Sequence, residues 1–165
     1  MFFRSVAYEY FHPDDVISGE GTRRYGGRFV PVGTPAVYGS VDEQTAVKEV
    51  TVRQQMLKGD RNIDFSGYPR LTYVLRVHTE RHLDLSGDLP GEFGRVMEEC
   101  SQPGDHGPSQ HLAEIWIAEG IESVLFRSAT DGGNNIVVYI ANSAEESVTV
   151  LNREALLSKI HNRLS

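Results

Sequence analysis

A single α+β domain with mixed strands and about four helices is the fold class that this sequence predicts, and three observations predict it. The chain has 165 residues, enough for one full hydrophobic core. Its β-prone runs are short and interspersed with a few amphipathic stretches. No repeat, low-complexity tract or linker divides it, so residues 1–165 read as one unit.

The elements follow in order. Phe2 to Tyr10 (FFRSVAYEY) is aromatic and β-prone and predicts a first strand; His12-Pro13-Asp14-Asp15 is turn chemistry, and a glycine-rich loop follows. Pro35 to Ser40 is a short strand. Ser40 and Glu43 have the spacing of a capping box, so a helix is expected from Val41 to Lys58, with Ala46, Val47, Val50 and Leu57 as its apolar stripe. Gly59 to Pro69 reads as a polar loop, Arg70 to Val77 as a strand, and Leu83 to Leu85 as a further strand or an edge. A helix is expected over Asp88 to Glu99, with its proline in the first turn, and a loop over Ser101 to Pro108. Ser109 should cap the next helix, whose Trp116 reads as core. Strands at Ser123 to Phe126, Asn135 to Ile140 and Val148 to Leu151 come next, and Asn152 should cap a last helix from Arg153 to Leu164.

Composition narrows the function classes. Hydrophobic residues make up 39% and charged residues 24%, ordinary values for a soluble globular protein. No apolar run approaches the roughly 20 residues of a membrane span, and the N-terminus has no apolar signal region. Cys100 is the single cysteine, so no internal disulfide framework exists, which fits a reducing cytoplasm. A net charge of −7 argues against nucleic-acid binding, which wants a basic face. The six histidines are scattered without metal-ligand spacing, so no metal is expected.

Positive charge is densest in Gly19 to Glu49, which carries six glycines with Arg23, Arg24 and Arg28 among them. Glycines let backbone N–H groups approach a ligand, and a guanidinium beside them offers planar, permanently charged donors for a phosphate. Tyr38 and Glu49 follow on a strand and a helix, so the order is an anion clamp, an aromatic platform and an acid suited to sugar chemistry. Helix logic alone equally allows Glu49 to be a solvated residue paired with Arg53 at i+4, and Arg4 to be a rim arginine with its head in water. A serine such as Ser128, at a strand end before glycines, is often a turn residue. The chain has no P-loop, no G-x-S-x-G elbow, and no glycine fingerprint running from a strand into a helix.

The phrase GGRF-x3-G-x3-VYGS-x5-A-x2-E, from Gly26 to Glu49, resembles the signature of the RES domain, the toxin half of bacterial RES–Xre toxin–antitoxin pairs. SQHLAEIWIAEGIESVLFRSA resembles the second block of that family, and FFRSV its early arginine strand. The resemblance implies a split β-sheet core similar to ADP-ribosyltransferases and diphtheria-type toxins, with NAD+ held as substrate in the cleft. It implies growth arrest through NAD+ consumption, blocked by an Xre-family antitoxin. By position, Arg28, Tyr38, Glu49 and Ser128 match the signature residues and Arg4 the early arginine. The implied roles are pyrophosphate binding by Arg28 with Arg4 and Arg24, stacking on nicotinamide by Tyr38, and a hydrogen bond from the ribose 2′-hydroxyl to Glu49. Ser128 would orient either the nicotinamide amide or Glu49.

The acceptor stays open between water (a glycohydrolase), phosphate (a phosphorylase) and a protein side chain (an ADP-ribosyltransferase). A non-catalytic nucleotide-binding module is the reading from another class. Phe29 stands where the family usually has tryptophan, Val30 where it has asparagine, and Val137 to Ser143 where an asparagine–proline and histidine segment is common. Val30 is expected to remove one polar contact near the ligand, and the Val137 to Ser143 departure to bear on the substrate end more than on the NAD+ end.

Overall fold

The structure, a computed structural model, describes residues 1–8, 16–59, 70–100 and 106–164. Seven strands lie in one sheet: β1 (Phe2–Ala7), β2 (Ala36–Ser40), β3 (Arg70–Val77), β4 (His82–Leu85), β5 (Ser123–Arg127), β6 (Asn134–Tyr139) and β7 (Val148–Val150). Their spatial order is β4-β5-β6-β2-β1-β3-β7, and the pairs are antiparallel except for the parallel β4–β5 edge. The sheet is therefore mixed, and the short LDL segment is its edge.

The sheet is nearly cut in two at β1–β2. There the register holds only Phe3 opposite Ser40, whereas β1 pairs with β3 along its whole length from Phe2 to Ala7 and β2 with β6 from Ala36 to Ser40. This is the split that the family resemblance implied.

Both faces are buried, which follows from strands that alternate between two apolar sets. Val137 and Tyr139 of β6 face one way, with Ala36, Val124 and Phe126, and pack on Met97, Cys100 and Ala113. Ile136 and Val138 face the other way, with Val37, Leu71, Tyr73 and Leu75, and pack on Val16, Val148 and Leu156. Among the described residues there are five helices: α1 (Glu20–Tyr25), α2 (Glu43–Lys58), α3 (Gly91–Cys100), α4 (Gly107–Ala118) and α5 (Arg153–Leu164). Helices α3 and α4 supply the first core, and α5 the second. As expected, Cys100 closes a helix with its thiol buried, and Trp116 packs against the first core.

Several local expectations are corrected. The glycine-rich stretch is not all loop, because Glu20 to Tyr25 form the short helix α1, closed by Gly26 at φ 66°. The cap of α2 is Asp42 rather than Ser40: Asp42 Oδ1 accepts from the Thr45 N–H at 2.8 Å, while Ser40 Oγ points across the sheet to Asn135. Ser109 does not cap α4, which begins two residues earlier with Pro108 in its first turn; the Ser109 hydroxyl is turned onto the Arg28 carbonyl. The Asn152 side chain clamps β3 instead of capping α5, accepting from Val74 N–H at 2.9 Å and donating to Thr72 O at 3.0 Å. The strand expected to reach Tyr10, the turn from His12 to Asp15, most of the loop from Gly59 to Pro69 and the first five residues of the loop from Ser101 lie wholly or partly outside the described residues.

Candidate active site

Arg28 sits at the tip of a tight turn closed by Gly27 N–H to Val30 O (2.8 Å) and Val30 N–H to Gly27 O (3.3 Å). Phe29 and Val30, the residues after it, are almost wholly buried. Phe29 packs its ring against Phe126 (centroids 4.8 Å apart) and Trp116 (5.6 Å). The backbone of the turn is held from three elements: Gln110 of α4 donates to Gly27 O (2.9 Å), Tyr139 of β6 donates to Phe29 O (3.1 Å), and Phe29 N–H donates to the Tyr38 hydroxyl of β2 (3.1 Å). The Phe29 plug, packed against two aromatic rings, and a set of backbone bonds thus present the Arg28 side chain. Val30 in place of asparagine is consequently a core residue of the turn.

Tyr38 lies over this turn. A Cβ on Gly27 would fall 2.7 Å from the Tyr38 hydroxyl oxygen and 2.8 Å from the ring, so the second glycine of the motif answers to contact with Tyr38, and the first, Gly26, to its φ of 66°. The ring also meets Phe126 edge-on, 6.3 Å between centroids. Burial drives the Tyr38 hydroxyl well above the usual phenol range, so it is neutral at physiological pH.

Glu49 lies in the second turn of α2, half-buried. Its Oε1 accepts from Ser128 Oγ at 2.6 Å and from Asn135 Nδ2 at 2.8 Å. No ion pair to Arg53 forms among the described residues, so the solvated i,i+4 alternative is not the arrangement adopted. Arg28 is within electrostatic reach of Glu49: burial lowers the Arg28 pKa and the carboxylate, with Tyr38, opposes that shift. A desolvated guanidinium facing an oriented carboxylate is an arrangement in which a charged ligand's interactions are little screened by water.

The loop after Ser128 is fastened to the start of α2. Asp131 Oδ2 lies 3.3 Å from Lys48 Nζ and 3.1 Å from Thr45 Oγ1, and Asp131 Oδ1 accepts from Gly133 N–H at 3.0 Å. Ser128 N–H in turn donates to Gly133 O at 2.6 Å. The helix that carries Glu49 and the loop that carries Ser128 are therefore one mechanical unit.

Arg4 stands at the split and donates from Nη1 to Tyr38 O at 3.0 Å, joining the two halves where the ladder fails. Burial, with the Arg53 charge second, pushes its pKa down to about 10, so its head is not the solvated one of a rim arginine. Arg24 is placed differently. It lies exposed on α1, 2.6 Å from Glu20, which also holds Arg23 at 2.7 Å and has its own carboxyl drawn down to about 2 by the two arginines. Arg28, Tyr38, Glu49 and Ser128 are thus drawn together with Arg4 beside them, while Arg24 is engaged in a surface ion-pair cluster.

Sequence reasoning missed Ser40 and Asn135. Asn135 shares a strand face with Val137 and Tyr139, and a lone polar residue in a buried apolar row was the signal that could have found it. The segment from Val137 to Ser143 is structural. Val137 to Tyr139 are buried in β6, and Asn142 Nδ2 donates to Ile117 O (2.9 Å) and Ile121 O (2.8 Å) at the end of α4. Among the described residues, no group of three or more His, Cys, Asp or Glu side chains is placed to hold a metal ion, and no helix is long and apolar enough to cross a membrane.

A family model for the RES domain matches residues 2–157. Among solved structures, the fold is similar to a chain in the crystal structure of the M. tuberculosis MbcT–MbcA toxin–antitoxin complex. The TM-score is 0.67 at 19% identity, over 95% of this chain and 86% of that one. No curated protein matches the sequence.

Proposed function

The chain belongs to the RES domain family, and we propose that it is a toxin that consumes NAD+ by cleaving the nicotinamide–ribose bond, restrained in the cytoplasm by an Xre-family antitoxin. The single observation that carries the reading is the Glu49 carboxylate, held at one oxygen by Ser128 and Asn135 within electrostatic reach of Arg28, beside a split sheet. Cleavage of this bond develops positive charge on the ribose, and a carboxylate fixed in advance stabilises that charge without reorganising. Oε1 takes both protein donors, which leaves Oε2 for the ribose 2′-hydroxyl. Arg28, desolvated and opposed only in part by Glu49, supplies the fixed positive charge for the pyrophosphate. Tyr38, neutral, offers an aromatic face to the cationic nicotinamide ring. Arg4 acts mainly by holding Tyr38 at the split, and Arg24, tied to Glu20, has the weakest claim to the ligand.

The MbcT–MbcA structure is of a toxin–antitoxin complex, and this supports an antitoxin partner for the present chain. In this reading the acceptor is water or phosphate, with a protein side chain as the alternative.

The test is incubation of the purified protein, stripped of any partner, with NAD+ labelled on adenine, with and without phosphate and with and without cell extract. Labelled ADP-ribose or its phosphorylated form is the expected product. Label on one extract protein would make the chain an ADP-ribosyltransferase with a specific target. Intact NAD+ in every arm, with an ADP-ribose analogue still bound, would leave a non-catalytic nucleotide-binding module.

A further inference from the structure

Ser40 and Asn135 are direct partners in the β2–β6 ladder, so their side chains emerge side by side on one face. Both are buried, at 3% and 7% exposure, on a face that they share with Ala36, Tyr38, Val137 and Tyr139. Such a position costs stability unless every polar atom is satisfied. Ser40 Oγ donates to Asn135 Oδ1 at 2.6 Å, and Asn135 Nδ2 donates to Glu49 Oε1 at 2.8 Å. The direction of this relay follows from its bonds: Glu49 Oε1 accepts from Ser128 and from the amide nitrogen, and the amide oxygen takes the serine proton.

Resting on the reading of Glu49 above, we propose that Asn135 is a positioning residue for Glu49 and that Ser40 fixes the orientation of its amide. Ser128 reaches the same carboxylate oxygen from a loop, whereas Asn135 reaches it from the middle of the sheet, paired to Ser40 on one side and Phe126 on the other. A strand is the more rigid support. The two donors converging on Oε1 set the rotation of the carboxylate about its last bond, and so the direction in which Oε2 faces the ligand. Losing Asn135 leaves one donor on that oxygen and lets the group turn.

The first arm of the test needs no substrate. In a nitrogen-15 spectrum, the side-chain NH2 signal of Asn135 is expected to lie apart from ordinary solvent-exposed asparagines and to move on Glu49→Gln. An unchanged signal overturns the proposal. The second arm is kinetic. Asn135→Ala is expected to lower kcat between tenfold and a hundredfold, the scale at which outer partners of a functional group act, with KM changed much less. Ser40→Ala is expected to lower kcat in the same sense, and Ser40→Thr, which keeps the hydroxyl, to restore it. Equal losses in Ser40→Ala and Ser40→Thr, or a raised KM with kcat kept, overturn the proposal. If Asn135→Ala fails to fold, the Ser40 pair and the Glu49→Gln spectrum still decide. If the wild-type protein spares NAD+, the reading of function fails while the spectral arm continues to decide whether Asn135 holds Glu49.

Discussion

Ser128 Oγ and Glu49 Oε1 lie 2.6 Å apart although 79 positions separate them in the chain. The bond joins the end of β5 to α2, and it is the contact expected of a serine that orients the carboxylate. Ser128 Oγ also accepts from Thr130 N–H at 3.0 Å, so the hydroxyl proton is directed to Glu49 by the local turn. Ser128→Ala is expected to leave the fold intact and reduce NAD+ turnover. Glu49→Gln is expected to cost on the order of 3 kcal/mol of barrier, about a hundredfold in rate, the scale of one preorganised group. Single-turnover rates with labelled NAD+ check both, and a Glu49→Gln variant with near-full turnover would refute the assignment.

Gly27→Ala tests the contact between the arginine turn and Tyr38. The new methyl would sit 2.7 Å from the Tyr38 oxygen, so ring or turn must shift. A cost of about 1–3 kcal/mol is expected for overpacking at such a site. Thermal unfolding of the variant should therefore begin several degrees below wild type, at roughly 2–4 °C per kcal/mol for a chain of this size. Turnover should fall further than stability does, because Arg28 moves with the turn.

Alkaline pH should destabilise the fold through its buried tyrosines. Burial raises the pKa of Tyr38 and Tyr139 far above 10 and that of Tyr73 to about 12. In the unfolded chain these phenols lose protons near pH 10. Between that pH and their folded values the native state binds more protons, so stability is lost as pH rises. Arg4 runs the other way, since its folded pKa of about 10 lies below its unfolded value of 12.5, and it returns stability over that interval. Arg28, lowered by burial, acts in the same sense as Arg4, while the buried Cys100 thiol, raised, joins the tyrosines. Four groups against two give net loss above about pH 10. Urea midpoints measured from pH 7 to 11 check this. Tyr139→Phe should be weaker at pH 7, because its bond to Phe29 O is gone, yet flatter above pH 10.

Asn152→Ala separates stability from the site. Its amide makes two backbone bonds to β3, at Val74 and Thr72, beyond the end of β7. Leaving those groups unpaired is expected to cost about 1–3 kcal/mol. NAD+ turnover per folded molecule should be unchanged, and a parallel loss of turnover would mean that the outer half of the sheet reports to the cleft.

Much of the fold was legible because it is written in local periodicity. Arg70 to Val77 alternates and is β3 to the residue, and the stripe through Ala46, Val47 and Val50 is α2. Less legible were residues whose side chains have a choice of partner. Ser40, Ser109 and Asn152 each stand where a cap is chemically reasonable, and each instead bonds a distant group: Asn135, the Arg28 carbonyl and β3. Capping preference is a statement about near neighbours, and it loses when a buried polar group elsewhere takes the same side chain. The short helix α1 was hidden by its glycines, which argue against a helix although Thr22, bonded to Gly19 O and Ala36 O, pins it in place.

The candidate site divides in the same way. The order Arg28, Tyr38, Glu49 within one stretch was readable from the sequence alone, because a turn, a strand and a helix in succession lie close together in any compact fold. So was the resemblance to a family now shown by a match over residues 2–157. Only the tertiary structure decided that Glu49 bonds Ser128 and Asn135 instead of Arg53, that Arg4 bridges a split sheet, and that Arg24 turns away to Glu20. The reason is strand register. Placing β6 beside β2 with Asn135 opposite Ser40 sets which polar groups share a buried face. That placement is fixed by packing across the whole sheet, which no local stretch of residues contains.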